Sequence, residues 1–169
     1  MSIVIQGRAR LFGDDINTDY IIASSRKKEC PDPNILKQYL MESIDPAFAA
    51  SVVPGDLIVA GKNFGCGSAM EIAVTVLLAA GIKAVLAKSF SRTFYRNAVN
   101  NGLIPVECDT SQIAEGDRLK IVLENGLLTV RDETKQLEFS GAPLPEIMLN
   151  ILSVSGLVPY FRRNHDFII

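Results

Sequence analysis

Between residues 57 and 106 the chain alternates short apolar runs with segments of helical pattern, and this alternation limits the fold more than any other feature of the sequence. The order reads strand 57–60, helix 69–80, strand 84–87, helix 91–101, strand 103–106. Apolar runs of about four residues separated by helices form parallel strands, because each helix carries the chain back to the same end of the sheet. Gly81 and Gly102 stand just past the two helical patterns, where a left-handed cap costs glycine least. The predicted class is α/β with a βαβαβ core.

The flanks add further elements. Over 3–12, Ile3, Ile5, Ala9 and Leu11 alternate with polar neighbours, which predicts a half-buried strand, and Gly13-Asp14-Asp15 breaks it. The polar stretch 23–32 has no apolar periodicity and reads as an exposed loop. A short helix is expected over 34–43, capped by Asn34, with Ile35, Leu36, Tyr39 and Leu40 on one side. Over 119–139 the pattern alternates again around Asn125-Gly126, the strongest short signal for a hairpin. A last helix, from Leu144 or Pro145 to about Val154, stops at Gly156 and leads into a short tail that carries the sole histidine, His165.

A length of 169 residues suits one domain, 1–169, with a sizeable core. The 17 basic and 19 acidic residues leave a net charge of −2, and no basic run exceeds Arg26-Lys27-Lys28. Nucleic-acid binding is therefore not expected, since neutralising phosphates needs a basic face. Gln6, Arg8 and Arg10 interrupt any signal-peptide pattern, and the apolar stretch 72–80 is far shorter than the roughly 20 residues of a membrane span. A cytoplasmic protein without membrane contact is expected. Cys30, Cys66 and Cys108 are widely spaced with no CxxC, so neither a disulfide framework nor a zinc or iron–sulfur ligand set is predicted. Any metal must come from elsewhere.

The chemistry concentrates in Gly61-Lys62-Asn63-Phe64-Gly65-Cys66-Gly67-Ser68-Ala69-Met70-Glu71, a glycine-rich loop between a strand and a helix. A helix N-terminus offers unpaired N–H groups to a carboxylate or phosphate. No GK[ST] follows and the register misses GxGxxG, which disfavours a nucleotide. Ser68 and Glu71 also have the spacing of a capping box, so Ser68 reads as a cap, a catalytic hydroxyl or both. A Ser-His pair would rest on His165 in the tail, which disfavours nucleophilic hydrolysis. Cys66 reads as a small buried packing residue.

Asn17-Thr18-Asp19-Tyr20-Ile21-Ile22, the loop 61–68 and Ala87-Lys88-Ser89-Phe90-Ser91-Arg92-Thr93-Phe94-Tyr95-Arg96-Asn97-Ala98 occur in the order and spacing found in small subunits of isopropylmalate isomerase and homoaconitase. The chain resembles that family over most of its length. The resemblance implies a swivelling β/β/α domain like the C-terminal domain of aconitase. It further implies a dehydration and rehydration of a substituted malate, and a large partner subunit that carries a four-iron four-sulfur cluster. Ser68 then matches the general base. Thr18 and Asp19 match a polar pair lining the cleft, and Gly67 and Met70 fall at substrate-binding positions. The stretch 23–31 falls where the family reads the variable side of its di- or tricarboxylic substrate. That makes Arg26 the expected carboxylate ligand, with a solvated arginine as the equal alternative. Arg92 and Arg96, one helical turn apart, read as a surface pair.

The family pattern Gly-Ser-Ser-Arg-Glu is here Gly67-Ser68-Ala69-Met70-Glu71. Three explanations are open: Arg26 or a partner residue replaces the lost arginine, the substrate differs, or the chain is a non-catalytic regulatory or scaffold relative. A changed substrate is favoured, because Met70 would offer an apolar surface suited to a dimethylmalate or methylmalate. A stand-alone anion-binding domain is a further alternative. A surface built for a partner leaves self-association of the isolated chain open.

Overall fold

The computed structural model describes residues 2–167. Seven strands form one sheet: β1 Ser2–Leu11, β2 Leu57–Val59, β3 Ala84–Ala87, β4 Ile104–Glu107, β5 Arg118–Glu124, β6 Leu127–Asp132 and β7 Leu137–Gly141, in the order β4-β3-β2-β1-β5-β6-β7. β1 serves both halves. Its residues 2–8 pair antiparallel with β5, and Ala9, Arg10 and Leu11 pair parallel with β2. The parallel half β1-β2-β3-β4 is the predicted βαβαβ core with β1 added at its edge. The other half is an antiparallel meander that curls until the N–H of Ala142, just past β7, donates to the Glu107 carbonyl of β4 at 2.8 Å.

Two apolar cores share the parallel strands. Ile58, Ala60, Val85 and Ala87 face one core, and Leu57, Val59, Ala84 and Leu86 face the other. Strands covered on both faces read as unbroken apolar runs, which is why these segments lack polar alternation. Helices α5 Ile72–Ala79 and α6 Arg92–Asn101 connect the parallel strands. Ser91 caps α6, and Gly102 closes it in the left-handed region at φ 83°. The hairpin forms as predicted, with Asn125 at φ 51° and Gly126 at φ 82°, the pair of positive angles that a two-residue turn requires.

Several expectations are corrected. The stretch 23–32 is not a loop throughout: α2 Ser24–Glu29 forms there without one buried residue, following the short α1 Thr18–Ile21. An isolated turn with no apolar face leaves no periodic signal; α2 is held by ionic and polar contacts described below. The helix over 34–43 is only α3 Pro33–Leu36 and a 3₁₀ turn Lys37–Tyr39, capped by Asp32 rather than Asn34. It ends where Leu40 and Met41 turn into the core, Met41 taking φ 59°. A further short helix, α4 Phe48–Ser51, precedes β2. After α7 Glu146–Ser153 the expected tail is a helix, α8 Leu157–Asn164, anchored by buried Tyr160. His165 is its exposed left-handed cap, and the last two residues of that tail lie outside the described residues. No described helix is long and apolar enough to cross a membrane.

Candidate active site at the carboxyl ends of the parallel strands

Three loops leave the C-terminal ends of β1, β2 and β3 and lie side by side, at the edge where open α/β sheets place their ligands. Along one side of the 61–68 loop, Gly61 N–H donates to the Gly13 carbonyl at 3.1 Å and Gly65 N–H to the Ile16 carbonyl at 2.8 Å. Thr18 N–H donates to the Cys66 carbonyl at 2.8 Å. Along the other side, Lys88 N–H donates to Gly61 at 3.0 Å and Phe64 N–H to Ser89 at 3.0 Å. The 61–68 loop thus continues the sheet as its middle ribbon. Asn17 and Thr18 approach it from β1, and Ser91 from β3.

Thr18, Gly67 and Ser68 come together as expected, though not in the expected manner. Thr18 is 2 % exposed and its hydroxyl donates to the Ser68 carbonyl at 2.8 Å. It does not line an open cleft; it holds the loop from behind. Gly67 sits at φ 89°, and a Cβ there would stand 2.5 Å from Asn17 Oδ1. The same Oδ1 accepts the Asp19 N–H at 2.9 Å and so caps α1.

The capping box of Ser68 and Glu71 does not form. α5 starts at Ile72, three residues later than predicted, with Glu71 at its N-cap and no side-chain capping bond. The hydroxyl of Thr18 takes the Ser68 carbonyl, which a longer helix would have used as its own acceptor. Two consequences follow. Ser68 is exposed, and its hydroxyl makes no hydrogen bond among the described residues. Among the described residues, the backbone N–H groups of Gly67, Ser68, Ala69, Met70 and Glu71 also have no acceptor. Five successive backbone donors without an acceptor among the described residues therefore flank the Ser68 hydroxyl in the chain.

Asp19 and Met70 meet through Ser24. The Ser24 hydroxyl and N–H both donate to Asp19 Oδ1, the latter at 3.2 Å, and Ser24 Oγ lies 3.7 Å from Met70 Sδ. Met70 is only 7 % exposed and belongs to the core, so it offers no apolar surface to a ligand, contrary to the expectation. An unbranched apolar side chain on a loop facing the core lowers its free energy by turning inward. Arg26 is committed elsewhere. Its Nε and Nη2 bond the two Glu42 oxygens at 2.9 and 3.1 Å, and its guanidinium stacks 3.9 Å above the Tyr39 ring. These contacts pin α2, and among the described residues no hydrogen bond or ion pair joins Arg26 to the Ser68 loop.

Cys66 is half-buried rather than buried, and burial, helped by the nearby Asp15 carboxylate, pushes its thiol above the usual value. Arg92 and Arg96 are both exposed. Among the described residues no three His, Cys, Asp or Glu side chains converge as a metal-ligand set. A groove of about 780 Å³ runs beside β1, lined by Val4, Leu78, Asn101 and Leu152 among others, and the Ser68 loop has no part in it. Gly67, Ser68 and Ala69 are exposed.

Sequence reasoning missed Asn17 and Ser24. Asn17 precedes a helix of only four residues, so the one available signal was the Asn-x-Asp spacing of a cap. Ser24 matters only because α2 folds back over Met70.

Comparison with known proteins bears on the family and the fold. Residues 19–111 match the family described as Aconitase C-terminal domain. The chain is 47% identical to the 3-isopropylmalate dehydratase small subunit 2 of Archaeoglobus fulgidus, over 95% of this chain and 96% of that one. It is 43% identical to the methanogen homoaconitase small subunit of Methanocaldococcus jannaschii, over 95% and 93%. The crystal structure of 3-isopropylmalate dehydratase from Methanocaldococcus jannaschii superposes with a TM-score of 0.90 at 42% identity, covering 96% of each chain. With this identity over nearly the whole length and the same fold, the chain belongs to the family of 3-isopropylmalate dehydratase small subunits, built on the aconitase C-terminal domain.

Proposed function

We propose that this hydro-lyase small subunit supplies Ser68 as the general base of a dehydration and rehydration of a substituted malate, in the cytoplasm and in complex with a large subunit. The observation that carries the reading is the free Ser68 hydroxyl amid the open N–H groups of residues 67–71. The proton to be removed lies on the carbon beside a substrate carboxylate. Ser68 takes it as the alkoxide, after its own hydroxyl proton has passed to solvent, and unpaired backbone donors beside the oxygen stabilise that charge without reorganising. The same donors can hold the carboxylate, each such charge-assisted bond contributing about 1.5–3 kcal/mol. Thr18 and Gly67 act from behind by setting the loop, and Asp19 acts through Ser24.

The three cysteines are free and do not form a ligand set. In this reading the Lewis acid for the leaving hydroxyl is an iron–sulfur cluster supplied by the large subunit. Neither Arg26, which is bound to Glu42, nor the buried Met70 that stands at the family's arginine position presents a cation beside Ser68. This favours a substrate whose small-subunit side bears one carboxylate and alkyl groups, such as isopropylmalate, dimethylmalate or methylmalate, over the more carboxylated homocitrate type. The test is hydration of isopropylmaleate and dimethylmaleate by the complex of this chain with its large subunit. Turnover that disappears in Ser68→Ala supports the reading. A stable complex that turns over neither substrate, or turnover that survives Ser68→Ala, refutes it and leaves the scaffold alternative.

A further inference from the structure

Besides accepting the Tyr95 N–H on its carbonyl, Ser91 makes three hydrogen bonds at the point where the loop after β3 enters α6. Its Oγ accepts the Phe94 N–H at 3.3 Å, which caps the helix. Its N–H donates to the Phe64 carbonyl at 2.9 Å, and its hydroxyl proton goes to the Gly65 carbonyl at 2.7 Å. A cap needs only the acceptor side of the hydroxyl. The donor side serves the neighbouring loop, for which α6 has no use.

Gly65 is held closely from both flanks. Its N–H is bonded to the Ile16 carbonyl, and a Cβ on it would stand 2.2 Å from Phe94 Cγ, so the loop lies directly on the first turn of α6. Ser68 follows three residues later, beyond the left-handed Gly67. Ser68 is thus carried on a ribbon fixed at Gly65 by Ser91, at the Cys66 carbonyl by the Thr18 N–H and at its own carbonyl by the Thr18 hydroxyl.

We propose that Ser91 is a positioning residue for the reaction, setting the reach of Ser68 by clamping Gly65 to α6. The inference rests on the reading of Ser68 as the base. Without the clamp the Gly65 carbonyl loses its donor and the ribbon can shift off the Phe94 ring, while the partner's share of substrate binding is untouched. A reacting group misplaced by about 1 Å loses on the order of a hundredfold in rate, so kcat is the sensitive quantity.

The test uses the complex with the large subunit, dimethylmaleate and isopropylmaleate as substrates, and turnover counted per assembled complex. Ser91→Asp keeps an acceptor for the Phe94 N–H but has no proton for Gly65, which separates the clamp from the cap. The expected result is a kcat lower by at least about tenfold with KM within about twofold. Ser91→Thr, which retains both functions, restores the rate. Ser91→Ala loses clamp and cap together and gives the second measurement should Asp disturb folding. Unchanged kcat in the Asp variant, or in the Ala variant where Asp does not assemble, overturns the proposal. So does a Thr variant as slow as Ala. Ser68→Ala is measured beside them: turnover that survives it overturns the reading on which the clamp rests, whereas turnover lost there but kept in Ser91→Asp overturns the clamp alone.

Discussion

Gly67→Ala tests whether the Ser68 loop is held by the backbone geometry described above. Gly67 lies at φ 89°, a conformation that costs an L-residue about 1–2 kcal/mol. The new Cβ would also meet Asn17 Oδ1, Nδ2 and Cγ at 2.5, 2.6 and 2.7 Å, each closer than any real contact. The Asn17 carboxamide must move, and in moving it gives up the Asp19 N–H that it caps, a loss of about 1 kcal/mol. Together the substitution costs about 2–3 kcal/mol, which for a chain of this size lowers Tm by about 4–12 °C. Thermal unfolding of the chain and turnover of the complex are the two measurements. Placing Asn17→Gly in the same chain removes the collision and leaves only the backbone strain, so the double variant should recover about 1 kcal/mol relative to simple addition. A Gly67→Ala chain with the parental Tm and full turnover would refute the geometry. Strict additivity of the two substitutions would remove Asn17 from the account.

Thr18→Val preserves the shape of a buried side chain and deletes its bond to the Ser68 carbonyl. Turnover is expected to fall with KM nearly unchanged, and a rise in KM alone would restore Thr18 to direct substrate contact. Asp56, 2 % exposed, receives hydrogen bonds from Arg8 at 3.1 and 2.8 Å and from Arg10 at 3.3 Å. Burial alone would raise its carboxyl, but the bonds from Arg8, the Val53 N–H and Arg10 outweigh burial and hold it below the ordinary value. A depressed carboxyl contributes stability that is full above the unfolded value near about pH 4 and is lost as pH falls through the folded one. Asp56→Asn should therefore cost about 3 kcal/mol at neutral pH in urea titrations, with the difference from the parent shrinking in acid. An equal difference at every pH would mean that the ion pairs do not hold this end of β1.

The parallel core was legible because its signals are local. Runs such as Ala-Val-Leu-Ala at 84–87 are too short for anything but a buried strand, and Gly102 and Asn125-Gly126 act through their own dihedral angles. The start of α5 was not legible. Ser68 and Glu71 have the spacing of a capping box, yet the Ser68 carbonyl is taken by Thr18, fifty residues earlier in the chain. α2 was missed for a related reason: its anchors are Asp19 on Ser24 and Glu42 on Arg26, and neither leaves a periodic trace.

The sequence by itself determined the βαβαβ order, the hairpin, the family and the three motifs whose loops lie side by side. Only the tertiary structure decided what each of them does there. It buried Met70, tied Arg26 to Glu42, set Thr18 behind the loop and left the Ser68 hydroxyl and its neighbouring N–H groups open. Turn and strand preferences belong to a residue and its nearest neighbours. A hydrogen-bond partner or a buried face depends on which distant segment the folded chain brings alongside, and in this protein those segments are the loops after β1 and β3.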